Sequence, residues 1–120
     1  MIRIVVGGAI RKDDIKNLIM EIGGGKFEVE VMSDMQAAMA VKTNKADYYL
    51  GACHTGGGGA LSMAIAILTM AKCATVSMPG RPPKEADIVK AVSDGKVAFG
   101  FTGDHLEAAV PVIMNEILKR

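Results

Sequence analysis

Cys53-His54-Thr55-Gly56-Gly57-Gly58-Gly59 brings a thiol, an imidazole, a hydroxyl and a glycine run into seven consecutive residues. Glycines let backbone N–H groups turn toward a bound oxyanion without obstruction by Cβ. A helix beginning at the end of such a run adds its positive N-terminal end. Four consecutive glycines exceed what a turn requires. Thr55, Gly56, Gly57, Gly58 and Gly59 therefore read as a cradle for a small anion, with the Thr55 hydroxyl as a further donor. The plainer alternative is close packing of a helix on a strand. The spacing is not a Walker A loop, because no lysine follows the glycines. Nor is it a G-x-G-x-x-G fingerprint with an acidic residue placed for ribose.

Cys53 stands where a strand should end and a helix should begin. That position favours the thiolate, the form that acts as base or nucleophile. The competing reading is a small buried hydrophobe. His54 reads as a proton carrier or as a solvated loop residue. Cys73 falls inside an apolar run and reads as core. His105 reads as a residue at a helix start, and Asp104 as a cap. Arg81, held between Pro79-Gly80 and Pro82-Pro83, reads as a clamp for phosphate or carboxylate, or as a plain surface arginine. Gly7-Gly8 closes the first apolar run and is a second place where backbone can approach an anion. No Cys/His cluster has zinc spacing and no Ser/His/Asp arrangement is visible, so neither a metal nor a cofactor is expected.

The elements that must position these residues alternate. Residues 2–6 form an apolar run ending at Gly7-Gly8, a buried strand entering a tight turn. Residues 11–22 carry Ile15, Leu18, Ile19 and Ile22 at helical spacing, with Asp13 and Asp14 in the first turn and Gly23-Gly24-Gly25 as the stop. Phe27, Val29 and Val31 alternate with Glu28 and Glu30, as on an edge strand. Ser33 and Gln36 make a capping box for a second helix. Residues 46–50 are a third strand, 60–71 an almost wholly apolar helix, 73–76 a fourth strand, 84–93 a helix and 96–101 a fifth strand. A last helix opens near Asp104 and Glu107, with Pro111 placed to shorten or kink it. Five βα units with short connections predict a single α/β domain over residues 1–120. It should be a three-layer αβα sandwich, Rossmann-like or flavodoxin-like, around a parallel sheet. Strand order 2-1-3-4-5 puts the alternating strand at an edge. It also sets strands one and three side by side at the switch point where such sheets bind ligands.

Composition narrows the function. Fourteen Lys and Arg oppose thirteen Asp and Glu, a net charge of +1, so nothing favours nucleic-acid binding. Half the residues are apolar, enough to bury a full core. Two cysteines make no disulfide framework and suit a reducing cytoplasm. The longest apolar stretch is too short to span a bilayer, and the first residues lack the apolar length of a signal peptide. A helix apolar on nearly all sides should be covered by its sheet and by a second subunit, so a homo-oligomer is expected.

Two resemblances extend this reading. Asp34-Met35-Gln36-Ala37-Ala38-Met39, Ala46-Asp47-Tyr48-Tyr49-Leu50-Gly51-Ala52-Cys53, Thr55-Gly56, Ala60-Leu61-Ser62 and Gly95-Lys96-Val97-Ala98-Phe99-Gly100 resemble the YhfU-like family of small bacterial proteins with no assigned function. Lys45-Ala46-Asp47, Gly51-Ala52-Cys53-x-Thr55-Gly56-x-Gly58, Ser62 and Ala64-Ile65-Ala66 are similar to the central segment of ribose-phosphate isomerase B enzymes. That second resemblance covers about a third of the chain and implies a Rossmann-like sheet. It implies Cys53 as the base that moves a proton between adjacent sugar carbons. It also implies Thr55, Gly56 and Gly58 around the anionic intermediate. The chain departs from this pattern in three places. Gly7-Gly8-Ala9 stands where those enzymes carry an Asp-His pair, His54 stands where they carry glycine, and Arg81 is the lone candidate for their basic phosphate cluster. The C-x-T-G pattern also resembles the IIB phosphocarrier domains of sugar phosphotransferase systems, where the cysteine is phosphorylated. There the loop follows the first strand; here it follows the third.

These readings converge on a protein that binds a small phosphorylated or carboxylated metabolite. One form of it is a sugar-phosphate isomerase or epimerase with Cys53 as base and His54 beside it. The alternatives are a non-catalytic ligand-binding or regulatory subunit and a phosphocarrier modified on Cys53.

Overall fold

The computed structural model describes residues 1–54 and 57–120, with burial and side-chain surroundings given for 1–54 and 61–120. Five parallel strands form one sheet: β1 (Ile2–Gly8), β2 (Phe27–Val31), β3 (Tyr48–Cys53), β4 (Cys73–Thr75) and β5 (Ala98–Thr102). The helices between them are α1 (Lys12–Gly23), α2 (Asp34–Lys42), α3 (Gly57–Leu68), α4 (Glu85–Ser93) and α5 (Leu106–Leu118). The expected αβα architecture is the one observed.

Apolar residues on the two sheet faces build two cores. One collects Ile4, Val6, Leu50, Phe99 and Phe101 with Ile15 and Ile19 of α1, Ile88 and Val92 of α4, and Ile113 and Met114 of α5. The other collects Val5, Tyr49 and Ala98 with the small residues Ala37, Ala38 and Val41 of α2 and Leu61 and Ala64 of α3. Alanine at the α2–sheet contact lets that helix lie close. On the same face Gly7, Gly51 and Gly100 are register partners across β1, β3 and β5. The absence of Cβ at Gly7 and Gly51 makes a slot for the Tyr49 ring. A Cβ at Gly7 would come within 2.6 Å of that ring, and one at Gly51 within 3.1 Å.

The observed strand order is β2-β1-β3-β5-β4. β2 lies at an edge and β1 beside β3, as expected, but the last two strands are exchanged relative to 2-1-3-4-5. β5 is buried at every residue and so needs a neighbour on each side. β4 has three residues and grades from buried Cys73 to exposed Thr75, which suits an edge. Arg81 follows β4, so β5 separates its loop from β3, whereas the order 2-1-3-4-5 sets strand four, and with it the Arg81 loop, next to strand three.

Several boundaries also differ. β3 runs on to Cys53 because Gly51 and Ala52 pair with Gly7 and Gly8 on one side and with Gly100 and Phe101 on the other. α3 begins inside the glycine run and stops at Leu68, ahead of Thr69, whose φ is +80°. Pro111 lies inside α5 without ending it. Asp104 sits in a short 3₁₀ turn, Gly103–His105, and no side-chain hydrogen bond caps α5, so neither Asp104 nor Glu107 acts as the expected cap. Glu107 is instead bound by Arg11.

Candidate functional site

The C-terminal edge of the sheet gathers most of the singled-out residues. β3 ends at Cys53, which is 4% exposed and not joined in a disulfide. His54 follows on the surface. Thr55 and Gly56 lie outside the described residues. Gly57, Gly58 and Gly59 open α3, so they belong to the first turn of a helix rather than to a loop.

Gly7 and Gly8 end β1 beside this segment, yet the local backbone donors already have partners. The Gly8 amide donates to the Tyr49 hydroxyl at 3.1 Å. The amides of Ala9 and Ile10 both donate to the Ala52 carbonyl, at 2.8 and 3.3 Å. Gly8 has φ +80°, and a Cβ there would stand 2.6 Å from the Ala52 nitrogen, so glycine is required for this close approach. Burial holds the Tyr49 hydroxyl well above its ordinary pKa, with the nearby Asp34 carboxylate adding to the effect. A neutral hydroxyl is therefore what meets the Gly8 amide.

Above the strand ends lies an open cleft of about 470 Å³ lined by Ile10, Arg11, His54, Pro79, Gly103 and Asp104. Arg11 adopts a left-handed φ of +53° at the start of α1. Its guanidinium donates to the Gly103 carbonyl at 2.8 Å and to both Glu107 oxygens at 3.2 and 2.7 Å. It also meets Asp14 at 3.0 Å. The hydrogen bond from Arg11 holds the Glu107 carboxyl below its usual range. One arginine thus ties the turn after β1 to the turn after β5 and forms a wall of the cleft.

A row of polar side chains, buried at Thr102 and Ser77 and exposed at Asp104, follows Cys53 across the sheet edge. Cys53 is the register partner of Thr102, the last residue of β5. The Thr102 amide donates to Ser77 Oγ at 3.0 Å, and the two hydroxyls are 3.4 Å apart. Thr102 Oγ1 and His105 Nδ1 are 2.6 Å apart, and His105 Nε2 is 3.7 Å from Asp104 Oδ2. The Asp104 carboxyl is held below its usual range, first by the Thr102 hydroxyl and then by His105.

Arg81 is not part of this group. It lines a separate hollow of about 170 Å³ with Ser77, Lys84 and Asp87. Pro79 and Gly80 carry it on a tight turn in which Gly80 has φ +71° and the Met78 and Arg81 backbones exchange hydrogen bonds. A cavity of about 490 Å³ also opens at the other end of the sheet, lined by Val41, Asp47, Ile67, Thr69 and Val97 among others. Among the described residues, none of those expected to be catalytic or anion-binding lines it. Among the described residues no group of three or more His, Cys, Asp or Glu side chains is arranged to hold a metal ion. Nor is any described helix long and apolar enough to cross a membrane.

Sequence reasoning passed over Arg11, Asp34, Ser77 and Thr102. Asp34 Oδ1 is buried and has no hydrogen-bond partner among the described residues. A lone threonine closing an otherwise apolar strand was the available signal for Thr102. Arg11 gave none, because Gly103 and Glu107, the partners that tie it to the turn after β5, lie more than ninety residues away.

Comparison with known proteins places the chain in context. The family described as "Protein of unknown function DUF2620" matches residues 2–117. The uncharacterized protein YhfU of Escherichia coli K12 is 44% identical over 117 residues, covering 98% of this chain and 99% of that protein. Its Shigella flexneri counterpart matches to the same extent. Among solved structures, Trypanosoma brucei type B ribose 5-phosphate isomerase superposes with a TM-score of 0.69 at 14% identity, covering 98% of this chain and 85% of that one. The Thermotoga maritima ribose 5-phosphate isomerase gives 0.68 at 15% identity, with 98% and 86% covered. At these identities the likeness establishes a shared fold.

Proposed function

The chain belongs to the DUF2620 family and shares the fold of the type B isomerases, and from that premise we propose that it binds a small phosphorylated or carboxylated metabolite and moves a proton between adjacent carbons of it. The observation that carries this reading is the delivery of Cys53 by β3 to the switch point of the sheet, immediately ahead of the glycine-rich start of α3. In the proposed step the Cys53 thiolate removes the proton from a carbon next to a carbonyl, forming an S–H bond as the C–H bond breaks. The electron pair moves onto the carbonyl oxygen and gives an enediolate. Backbone amides of residues 55–59 hold the negative charge. The thiol then returns a proton to the neighbouring carbon while a hydroxyl proton moves to the first oxygen, so the substrate is isomerised and the enzyme regenerated. His54, exposed at the cleft, serves the oxygen-to-oxygen transfer.

The test is solvent-deuterium exchange at carbon-bound hydrogen across a panel of sugar phosphates. Wild-type protein should exchange one member, and Cys53→Ser should lose about 10²- to 10⁴-fold in rate while still being stabilised by that ligand. Unchanged exchange in the variant overturns the role of the thiol. A second reading, a non-catalytic binding subunit, is favoured by the end of β1, where the amides of Gly8, Ala9 and Ile10 are spent on Tyr49 and Ala52. Thermal stabilisation by a ligand without exchange selects it; the expected gain is about 2.7 kcal/mol at a hundredfold excess over Kd. A stable mass gain on Cys53 after incubation with a phosphohistidine donor protein selects the phosphocarrier instead.

A further inference from the structure

We propose that the cavity at the N-terminal edge of the sheet is a second binding site, one that takes a small carboxylate with an apolar body. It lies at the opposite end of the strands from Cys53 and does not depend on the chemistry proposed there. The segments entering three strands meet at it. Asn44 and Asp47 come from the approach to β3, Thr69 and Lys72 from the approach to β4, and Val97 from the approach to β5. Its volume of about 490 Å³ falls within the range of about 300–1,000 Å³ usual for small-molecule sites. Part of the lining is apolar: Val41 and Ala46 are buried, and Ile67, Leu68 and Val97 are half-buried.

The polar part of the lining favours negative charge. Its carboxylate, Asp47, is already neutralised: the Arg3 guanidinium donates to both oxygens, at 3.3 and 3.1 Å, and the Arg3 amide donates at 2.9 Å. The ammonium groups of Lys42 and Lys72 make no hydrogen bond or ion pair with any described residue. Unpaired surface lysines are ordinary; the backbone beside them is not. Thr69 has φ +80° and ψ 155°, a region occupied essentially by glycine alone, and a β-branched residue there is an outlier. Its amide donates to the Ile65 carbonyl at 3.0 Å and its carbonyl accepts the Lys72 amide at 3.2 Å, so the turn is fixed from both sides. Glycine would make the same turn without strain. Threonine in its place brings a hydroxyl to the cavity, and that hydroxyl has no partner among the described residues. Asn44, with φ +62°, brings a side-chain amide that is likewise unpartnered among them. Thus two of the three described non-glycine residues with positive φ line this one cavity. Two cations, a hydroxyl and an amide beside apolar walls complement an anion with an apolar body. A bare phosphate or a sugar would leave Ile67, Leu68 and Val97 without a partner, and an alkylammonium would be repelled by the lysines.

The probe is hexanoate, titrated into isotope-labelled protein and followed by backbone amide chemical shifts. Saturable shifts should centre on Asn44, Thr69, Lys72 and Val97. Acetate, which lacks the apolar body, and hexylamine, which carries the opposite charge, should each bind roughly tenfold more weakly. Replacing both exposed lysines, Lys42→Gln with Lys72→Gln, should weaken hexanoate by roughly tenfold. Thr69→Gly should weaken it too while the urea midpoint holds, because relief of strain offsets the entropy that glycine adds to the unfolded chain. A threonine serving the fold alone would leave the affinity untouched. Non-saturable shifts, shifts confined to the outer face of α3 at Ala66, equal affinity for hexylamine, or an affinity unaltered in either variant overturn the inference. Failure of the deuterium-exchange assay with hexanoate binding intact would fall on the proton-transfer function alone.

Discussion

Tyr49 shows how much one side chain can settle. Its ring fills the space left by Gly7 and Gly51, and its hydroxyl accepts the Gly8 amide. Replacing it with phenylalanine keeps the ring and strands a buried N–H, which should cost about 1–3 kcal/mol in urea unfolding. The pH dependence follows from the same burial. The hydroxyl titrates in the folded chain at a pH above its ordinary 10.0. Folding therefore favours the protonated form, and stability should be level below that value and decline as pH rises past it. Tyr49→Phe should flatten the alkaline decline; an identical slope in both proteins would assign it to other groups. Cys53 makes a different demand on sequence reading. Its place at a strand end was legible from the apolar run and the glycines that follow. Its lateral neighbour Thr102 was not, because register between strands forty-nine residues apart leaves no local trace.

At the scale of elements, local chemistry predicted best where it was local. Ser33 Oγ accepts the Gln36 amide at 3.2 Å and the Gln36 side chain accepts the Ser33 amide at 3.4 Å, the reciprocal cap expected from the spacing. Ser33→Ala should cost about 1 kcal/mol, read from the urea midpoint, with Gln36→Ala costing less. Gly24 ends α1 in a left-handed conformation, as the glycine triplet implied. The alternation of Phe27, Val29 and Val31 with two glutamates placed β2 at its edge. The exchange of β4 and β5 was readable too, though from content rather than order. Ala98-Phe99-Gly100-Phe101-Thr102 carries no charge and suits burial on both faces, whereas a three-residue strand followed by a proline-rich loop suits an edge. Following chain order instead misplaced Arg81. The boundary of α3 failed for another reason. Glycine disfavours helix intrinsically, so a glycine run reads as loop, yet α3 begins within it.

For the whole molecule, the two sheet faces are unequally clothed. α1, α4 and α5 cover one, and α2 and α3 the other. α3 buries Leu61 and Ala64 and leaves Met63, Ile65, Ile67 and Leu68 half-covered and Ala66 exposed. Met70 beyond it is 70% exposed. We propose that a second copy of the chain packs against this helix, because water gains nothing from such a surface. Sedimentation velocity at micromolar concentration should return at least a dimer, and Ala66→Glu should shift it toward monomer. A monomer in the wild-type protein would contradict the interface.

The slot beneath Tyr49 has a bearing on how this chain can change over time. Two strands supply its walls and the third residue supplies its plug, so the three positions are tied in one choice. Enlarging Gly7 by a single methyl demands a smaller plug at 49, and a smaller plug strips the Gly8 amide of its acceptor. A lineage can leave this arrangement only by passing through a poorly packed intermediate, which makes the trio a heritable unit rather than three independent sites.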